Sequence, residues 1–311
     1  MLLEIRALRY FQMVANCGSY SRGADMLRIS QPAVSRTIRK LEDELGTAVF
    51  ERHGHGVRLT PAGQILLERS QLLFRQLEQT RAEIRSGMAN PSGVVSFAVT
   101  PAAGYVLAPP LVERFHAEYP NVFLNFVGGF SGYIHEWLVR GQVDVACLHD
   151  PLPQRGFEIT PLLNEQVLLV GKPGSLPAGR AYARTADLAN LPLIVPSLPN
   201  ASRRLLDRWV AATPIPLNIK IEVNDHYVTR GLVKKGLGFT LLTRGAIAAD
   251  LRCGELEAVP FRPDAYWPLA LVTCANAPRS AVVEAFIRTV RSVTRELAAS
   301  GAWPGKLLDR E

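Results

Sequence analysis

Apolar residues recur at helical spacing in the first third of the chain. The clearest face follows intervals of 4, 3 and 4 and consists of Val34, Ile38, Leu41 and Leu45. Ser30 stands where an N-terminal cap is expected, Pro32 falls in the first turn, and Gly46 follows the last periodic residue. The pattern predicts a helix over residues 31–45.

A shorter helix precedes it, with Ser21 in the cap position and Ala24 and Leu27 facing inward. Only residues 28–30 join the two helices. A further helix over residues 3–16 is predicted to support both from behind.

The outward face of helix 31–45 carries groups that can bind DNA. Its polar residues include Gln31, Ser35, Arg36, Arg39 and Lys40. Glutamine amides and arginine guanidinium groups pair with adenine and guanine edges in the major groove, so the tight helix pair is typical of a helix-turn-helix. The periodicity alone fits an ordinary helical hairpin with a solvated basic face equally well.

Two short extended runs, Val49-Phe50 and Val57 to Leu59, flank a glycine-rich turn over residues 53–56 and predict a wing. Arg52 and Arg58 flank this turn and are expected to reach phosphate or the minor groove. His53 and His55 lack a third ligand nearby, so exposed loop residues are favoured over a metal site.

A long helix is predicted from Pro61 to about Ser86, capped by Thr60 and ended by Gly87 and the Asn90-Pro91 pair. Its apolar seam is Leu66, Leu73, Leu77, Thr80 and Ile84. Such a seam indicates a dimerisation helix, and packing on its own chain is the alternative.

From Gly93 onward, short β-branched runs alternate with helical patterns, which predicts an α/β sheet. Strands are expected near residues 94–99, 122–127, 143–148, 166–170, 193–196, 218–223, 238–242 and 269–274. Helices are expected near residues 104–118, 131–140, 200–211, 226–235, 244–250 and 279–299. No nucleotide-binding glycine motif is present.

The segment RYFQMVANCGSYSRGADMLRISQPAVSRTIRKLEDELGTAVFERHGHGVRLTPAG resembles the winged helix-turn-helix of LysR-type transcriptional regulators over more than fifty residues. Gly23 departs from the alanine usual in that family, at an expected cost of roughly 0.5–1 kcal/mol in a helix interior. Four later stretches resemble the effector-binding region of the family, namely SGYIHEWLVRGQVDVACLHDP, PLLNEQVLLVGKPGS, DLANLPLIVPSLPNASRRLLD and VKKGLGFTLLTRGAIAADLRCGELEAVPF. Val127 replaces a glutamate often found in the family, so no carboxylate role is assigned there.

The resemblance implies an N-terminal all-α winged helix-turn-helix with a long linker helix, then a two-subdomain α/β effector domain with a periplasmic-binding-protein-like fold. The implied divisions are residues 1–60 for DNA binding, 61–88 for the linker or dimerisation helix and 93–299 for effector binding. Subdomain I would hold residues 93–165 and 269–299, and subdomain II residues 166–268. The chain would cross between them near residues 163–167 and 266–269.

Ligands of open α/β sheets bind beyond the carboxyl ends of the strands. The polar residues expected at those ends, and so expected to bind a ligand, are Thr100, Ser131, Ser197, Asn200 and Asn224. Hydroxyls and amides at helix starts favour anions, which suggests a carboxylate or aromatic acid as effector. Arg203 and Arg204 either pair with that carboxylate or are solvated. Plain helix capping explains each polar residue singly, and only their shared position favours a site.

Charge and composition narrow the possible partners. The 311 residues carry a net charge of +7, a pI near 9.4 and 48% hydrophobic residues. Residues 1–90 hold 13 Lys and Arg against 9 Asp and Glu, so the basic excess is densest where DNA phosphate would be met. No apolar run is long enough to span a membrane, and no signal peptide begins the chain, so a cytoplasmic protein is expected.

The cysteines are expected to be buried free thiols, because no spacing fits a metal. They are Cys17, Cys147, Cys253 and Cys274. No metal and no cofactor is predicted.

Catalytic constellations are missing, since Gly129 to Gly132 lacks the final glycine of a nucleophile elbow and no HExxH occurs. We therefore expect a non-enzyme. A transporter's solute-binding protein is the closer rival, but residues 1–60 have no use outside the cell. The predicted protein is a sequence-specific regulator that binds double-stranded DNA through Gln31, Pro32, Ser35, Arg36, Arg39, Arg52 and Arg58. Its other expected partners are a small-molecule effector, itself as a dimer or dimer of dimers, and RNA polymerase as an open candidate.

Overall fold

The described residues form helices with buried apolar stripes, one eight-stranded mixed β-sheet and two two-stranded sheets. The computed structural model describes residues 4–54, 56–86, 92–176, 181–211, 215–275 and 279–308. The chain divides into one unit of Met1–Arg81 with Arg140–Gln142 and a second of Ala82–Val139 with Val143–Glu311. Among the described residues, no helix has the length and apolarity needed to cross a membrane.

Three helices, a hairpin and a long helix form the first unit. They are α1 (Ile5–Cys17), α2 (Tyr20–Leu27), α3 (Gln31–Leu45), β1 (Phe50–His53), β2 (Gly56–Leu59) and α4 (Pro61–Ser86). The predicted helix over 31–45 is confirmed residue for residue. Its stripe of Val34, Ile38 and Leu41 packs with Phe11 and Val14 of α1 in one apolar core.

The start of α2 differs from the prediction. Ser19, not Ser21, is the cap, and its hydroxyl accepts a hydrogen bond from the Arg22 amide at 3.4 Å. Ser21 is exposed inside the first turn. Ser30 does precede α3, but its side chain makes no capping hydrogen bond. The two-residue shift arises because the turn after α1 is closed by Gly18 in the left-handed conformation, at φ 61°.

Close backbone packing fixes the wing against the helices. Oε1 of Glu42 on α3 accepts hydrogen bonds from the amides of Val49, at 2.8 Å, and Phe50, at 3.3 Å. The Val57 amide donates to the Gly18 carbonyl at 2.9 Å. Gly63 lies so near the chain that a Cβ there would come within 2.0 Å of the Val49 oxygen. The hairpin is therefore tied to α1, α3 and the start of α4.

The departure at Gly23 has a packing explanation. A Cβ at this position would lie 3.0 Å from Cγ2 of Val14 and 3.2 Å from its Cα. Glycine thus lets α2 approach α1 closely, which offsets part of its conformational cost.

The second unit begins with a sheet in which β3 (Gly93–Val99) runs parallel to β4 (Val122–Gly128) and β5 (Val145–His149). Helices α5 (Pro101–Glu118) and α6 (Ser131–Val139) connect these strands. The antiparallel strand β11 (Tyr266–Cys274) lies beside β5, and α10 (Ala281–Ala299) follows it. Phe97 packs in the core on one face of this sheet and Ala98 in the core on the other, so both faces are covered.

The longest strand, β6 (Phe157–Gly171), lies in the eight-stranded sheet and changes partners along its length. Its first part pairs with β11, and its last part pairs with β9 (Thr240–Thr243) and β10 (Glu257–Pro260). The change of partner falls at residues 166–167, within the segment predicted as the first crossing. The predicted strand 166–170 is therefore only the end of a longer one.

A separate two-stranded sheet pairs β7 (Leu193–Val195) with β8 (Ile219–Glu222) in parallel. Helices α7 (Ala201–Ala211), α8 (His226–Lys234) and the short α9 (Ala248–Arg252) complete this half, with short 3-10 turns at Thr185–Ala189 and Gly245–Ile247. The predicted helix over 244–250 is thus a 3-10 turn followed by α9.

The tail after Gly301, for which no element was predicted, is part of the fold. Strand β12 (Gly305–Leu307) pairs with β6. Trp303 is fully buried in the same core as Phe97. The expectation of buried thiols holds for Cys147 but is wrong for Cys253, which is exposed. None of the four cysteines forms a disulfide within the described residues. Predictions for His55, Gly87 and the Asn90-Pro91 pair lie outside the described residues.

Candidate functional site

The outer face of α3 is polar and accessible. Gln31, Pro32, Arg36 and Arg39 are exposed, and Ser35 is half-buried. Their position follows from the stripe of Val34, Ile38 and Leu41, which holds the opposite side of the helix in the core. The helix begins at Gln31, so this residue projects from its first turn.

A depression of about 440 Å³ lies between α3 and the wing. Four of the predicted DNA-binding residues line it, namely Gln31, Ser35, Arg39 and Arg52. Ser19 and Tyr20 at the start of α2, which the sequence reasoning did not select, line it too. Burial, with a smaller contribution from the Glu42 charge, raises the pKa of Tyr20 to about 12, so its hydroxyl stays protonated. The depression combines amide, hydroxyl and guanidinium groups on a rigid frame.

Arg58 differs from the other selected arginines. Its Nε donates a hydrogen bond to Oε1 of Glu51 across the hairpin at 2.5 Å. Arg52, on the opposite strand, has no such ion pair among the described residues. Arg52 is therefore the more available of the two to an anionic partner.

In the second unit, a buried polar chain begins at Thr100, the residue before α5. Its hydroxyl does not cap the helix but lies 3.1 Å from Nδ1 of His149 at the end of β5. Nε2 of His149 lies 2.5 Å from Oε2 of Glu165 on β6, and Trp303 donates its indole N–H to Oε1 at 2.8 Å. All four side chains are buried, so each polar group is satisfied by the next.

Two other predicted ligand residues contact each other. Asn224 donates from Nδ2 to the Ser197 hydroxyl at 2.6 Å and accepts from the Ser197 amide at 3.0 Å. Asn200 caps α7 by accepting from the Ser202 amide at 2.9 Å, while its Nδ2 is buried without a hydrogen-bond partner in the described chain. Ser131 is the first residue of α6.

The start of α6 lies close to the segment that precedes α7. A Cβ added to Gly132, beside Ser131, would lie 3.3 Å from Cγ of Pro199, beside Asn200. The first turn of α6, which begins at Ser131, therefore lies near Pro199, the residue before Asn200. The Thr100 hydroxyl contacts Nδ1 of His149, and the Ser197 and Asn224 side chains contact each other.

The arginines at the start of α7 are engaged by the protein's own oxygens. Arg203 donates to Asp207 at 3.0 Å and to Glu222 at 2.6 Å. Arg204 donates to the Pro199 carbonyl at 2.6 Å and to Asp150, which also accepts from Arg208. The side chains of Arg203 and Arg204 are 16% and 20% exposed, so neither is a solvated surface arginine.

A third cluster lies where α5 meets α8. The rings of Tyr105 and His226 are 5.6 Å apart, and the Arg230 guanidinium lies 5.2 Å above the Tyr105 ring. Arg230 in turn pairs with Asp250 at 2.5 Å. Burial, reinforced by the Arg230 charge, lowers the pKa of His226 to about 4, and neither of its ring nitrogens has a hydrogen-bond partner among the described residues.

Sequence reasoning missed His149, Asp150, Glu165 and Trp303. His149 and Asp150 could have been predicted, because they are the first polar residues after the apolar run of a buried strand. The same rule selected Thr100. Glu165 and Trp303 carry no such signal in the sequence, because only the tertiary structure brings their side chains together. Within the described ranges, no group of three or more His, Cys, Asp or Glu side chains is placed to hold a metal ion.

Comparison with protein families assigns both units. Residues 5–64 match the model described as "Bacterial regulatory helix-turn-helix protein, lysR family", and residues 89–295 match "LysR substrate binding domain". The chain belongs to the LysR family. It is a LysR-type DNA-binding transcriptional regulator with an effector-binding domain, and the tight helix pair is a helix-turn-helix rather than an ordinary helical hairpin.

This LysR-family protein is similar to named transcriptional regulators, and the similarity covers nearly the whole length of both chains. The HTH-type transcriptional regulator BbuR of Bordetella bronchiseptica is 33% identical, with 97% of this chain and 94% of BbuR covered. The HTH-type transcriptional regulator PcaQ of Agrobacterium fabrum is 26% identical, with 95% of this chain and 96% of PcaQ covered.

Solved structures share the fold. Full-length OxyR from Pseudomonas aeruginosa, solved as a cysteine-to-aspartate variant, has a TM-score of 0.72 at 23% identity, covering 93% of this chain and 98% of that one. Full-length CbnR in complex with its target DNA has a TM-score of 0.68 at 22% identity, covering 94% and 100%. The predicted fold class, a winged helix-turn-helix followed by an α/β effector domain, is confirmed.

Proposed function

We propose that this regulator reads its operator with the face of α3 and holds the DNA backbone with the wing. The depression that joins Gln31, Ser35, Arg39 and Arg52 carries the proposal, because it combines base-reading and phosphate-binding groups in one recess. Pro32 and Arg36 extend the same exposed face. CbnR, which shares the fold, has been solved with its target DNA.

Gln31 and Arg36 are assigned to base edges, and Arg52 to the sugar-phosphate backbone. Gln31→Ala and Arg36→Ala should each lose about 1–3 kcal/mol of binding free energy and relax base preference. Arg52→Ala should weaken binding to all DNA sequences by a similar factor and reduce the salt dependence of the affinity. The measurement is fluorescence anisotropy with operator and scrambled duplexes at two salt concentrations.

Arg262→Ala is the matched control, because it removes one exposed arginine from the second unit, where Arg262 pairs with Asp264. It should leave operator preference unchanged. Unaltered affinity and preference in both Gln31→Ala and Arg36→Ala would show that α3 is not the reading helix.

For the effector, we infer a small carboxylate or aromatic acid bound between the two halves of the second unit. The proposed contacts are Thr100, Ser131, Ser197, Asn200 and Asn224. The buried, unpaired Nδ2 of Asn200 at the start of α7 supports an oxygen-bearing ligand. Calorimetry with aromatic and aliphatic acids should give saturable heat with at least one acid, and none with its neutral amide. If none of the acids in the panel gives heat of binding, the proposal that the effector is an acid is wrong.

Self-association is proposed through α4. Leu73, Leu77 and Ile84 on its predicted seam are 54%, 39% and 77% exposed. Apolar residues at these spacings on a long helix favour pairing with a second copy. The regulator would act without catalysis, in the cytoplasm where its DNA lies, and the effector would shift the placement of paired DNA-binding units through differential affinity for two arrangements.

A further inference from the structure

An ionic contact links the two halves of the second unit at Asp150. This residue directly follows β5 of the first sheet, and its amide donates to the Pro268 carbonyl of β11 at 2.8 Å. Its carboxylate accepts from Arg208 at 2.9 Å and from Arg204 at 3.4 Å, and its carbonyl accepts from Arg204 at 3.0 Å. Both arginines belong to α7, which packs with β7 in one apolar core.

The contact is partly withdrawn from water. The Asp150 and Arg204 side chains are 15% and 20% exposed, so their attraction is screened less than that of surface pairs. Asp150 also holds the left-handed backbone conformation, at φ 46°, which Arg28 alone shares among described non-glycine residues. A non-glycine residue keeps that conformation when its surroundings fix it.

Arg204 is nevertheless incompletely satisfied. Its Nη1 donates to Pro199 and its Nη2 to Asp150, but its buried Nε has no partner in the described chain. One turn earlier, the 5%-exposed Asn200 holds a second buried donor, Nδ2, that is also unpartnered. Positions four residues apart lie on one face of a helix. Two unpaired donors therefore lie one turn apart at the positive, N-terminal end of α7.

The chemistry that completes these donors is a carboxylate. Guanidinium groups bind carboxylates through two parallel N–H donors. A state of the protein in which a buried donor has no hydrogen-bond partner is less stable. Asp150 reaches only one edge of the guanidinium. An acid approaching from the side of Nε would meet Arg204 and Asn200 together.

We propose that Asp150 is an internal occupant of a carboxylate site formed by Arg204, Arg208 and Asn200, and that a carboxylate effector takes its place. The proposal rests on the proposed function and adds an anchoring group and a competitor to it. With Asp150 bound, Arg204 ties the two halves together. When an effector binds Arg204, that tie is released. The effector therefore has a higher affinity for the arrangement in which the halves are released than for the one in which they are tied. Such a difference in affinity is what allows a ligand to shift the equilibrium between two arrangements.

Asp150→Gly in the full-length protein removes the carboxylate without straining the backbone, because glycine accepts φ 46°. Hydrogen–deuterium exchange is measured for peptides covering 145–152 and 196–206, with peptides from α3 as internal reference. The probe ligand is formate at roughly 10–50 mM, a range suited to a weak single-carboxylate contact. Chloride at equal ionic strength is the control.

Asp150→Gly should raise exchange in both peptides about tenfold and leave α3 unchanged. Formate should lower exchange in the 196–206 peptide of this variant, where it pairs with Arg204, but not in the 145–152 peptide, because a free carboxylate does not rejoin the halves. Chloride should change neither peptide. In the double variant with Arg204→Gln, formate should have no effect. If Asp150→Gly does not fold, Asp150→Asn keeps the shape, removes the charge and is read in the same way.

Two results would overturn the proposal. Unchanged exchange in Asp150→Gly would show that the contact does not join the halves, and equal effects of formate and chloride would show that no carboxylate site exists. Neither readout uses DNA or the natural effector. Loss of operator binding or of acid binding in the wild type is thus a separate outcome that bears on the proposed function.

Discussion

Buried polar side chains carry much of the information at the residue scale. Thr100 was selected as a strand-end hydroxyl, yet its partner His149 and the continuation through Glu165 to Trp303 depend on three strands and the tail meeting in space. The sequence therefore located one end of the chain of hydrogen bonds and not the rest. Asn200 and Ser197 followed the same rule, and Asn224 was found with its partner Ser197.

His226 makes the second unit sensitive to acid. Burial, then the neighbouring Arg230 charge, lowers its pKa from 6.5 to about 4 in the folded protein, so the folded state favours the neutral ring. Its contribution to stability is complete above pH 6.5 and is lost as pH falls toward 4, because the unfolded chain takes up the proton first. Between about pH 7.5 and 5 the loss should be about 2 kcal/mol.

Urea unfolding at the two pH values checks this. His226→Gln should lose less stability on acidification than the wild type by about that amount. His116→Gln, at an exposed position, is the matched control and should behave like the wild type. Equal acid sensitivity of His226→Gln and the wild type would contradict the assignment to His226.

At the scale of secondary-structure elements, hydrophobic periodicity predicted the positions of the helices more accurately than the residues at which they begin and end. Helix α3 was predicted at its observed bounds because Pro32 and Gly46 mark both ends. The start of α2 was misplaced because Ser19 and Ser21 are equally good caps in sequence. Strand β6 was predicted too short because Pro161 and Glu165 interrupt its apolar pattern, and only pairing with β11 identifies residues 157–165 as strand.

The two serines provide a test at this scale. Ser19→Ala should destabilise the first unit by about 1 kcal/mol, because the Arg22 amide loses its acceptor. Ser21→Ala removes the same atom from an exposed helical position and should change stability by about 0.5 kcal/mol or less. Thermal unfolding of the two variants in parallel measures the difference, and equal effects would show that Ser19 does not act as the cap.

At the scale of the whole molecule, the fold class was predictable and the closing contacts were not. The family resemblance and the alternation of strands with helices indicated a DNA-binding unit followed by an α/β effector domain. The pairing of β12 with β6 and the burial of Trp303 had no local signal, since a lone tryptophan near a terminus predicts neither. The division of labour between the units is the central claim.

Selection of genomic DNA fragments by the purified full-length protein, followed by footprinting at two salt concentrations, tests that claim most directly. We expect enrichment of interrupted inverted half-sites near promoters. We also expect affinity that falls steeply with salt, and loss of base preference in Gln31→Ala. Enrichment of no sequence, with only weak binding at low salt, would contradict sequence-specific reading by α3.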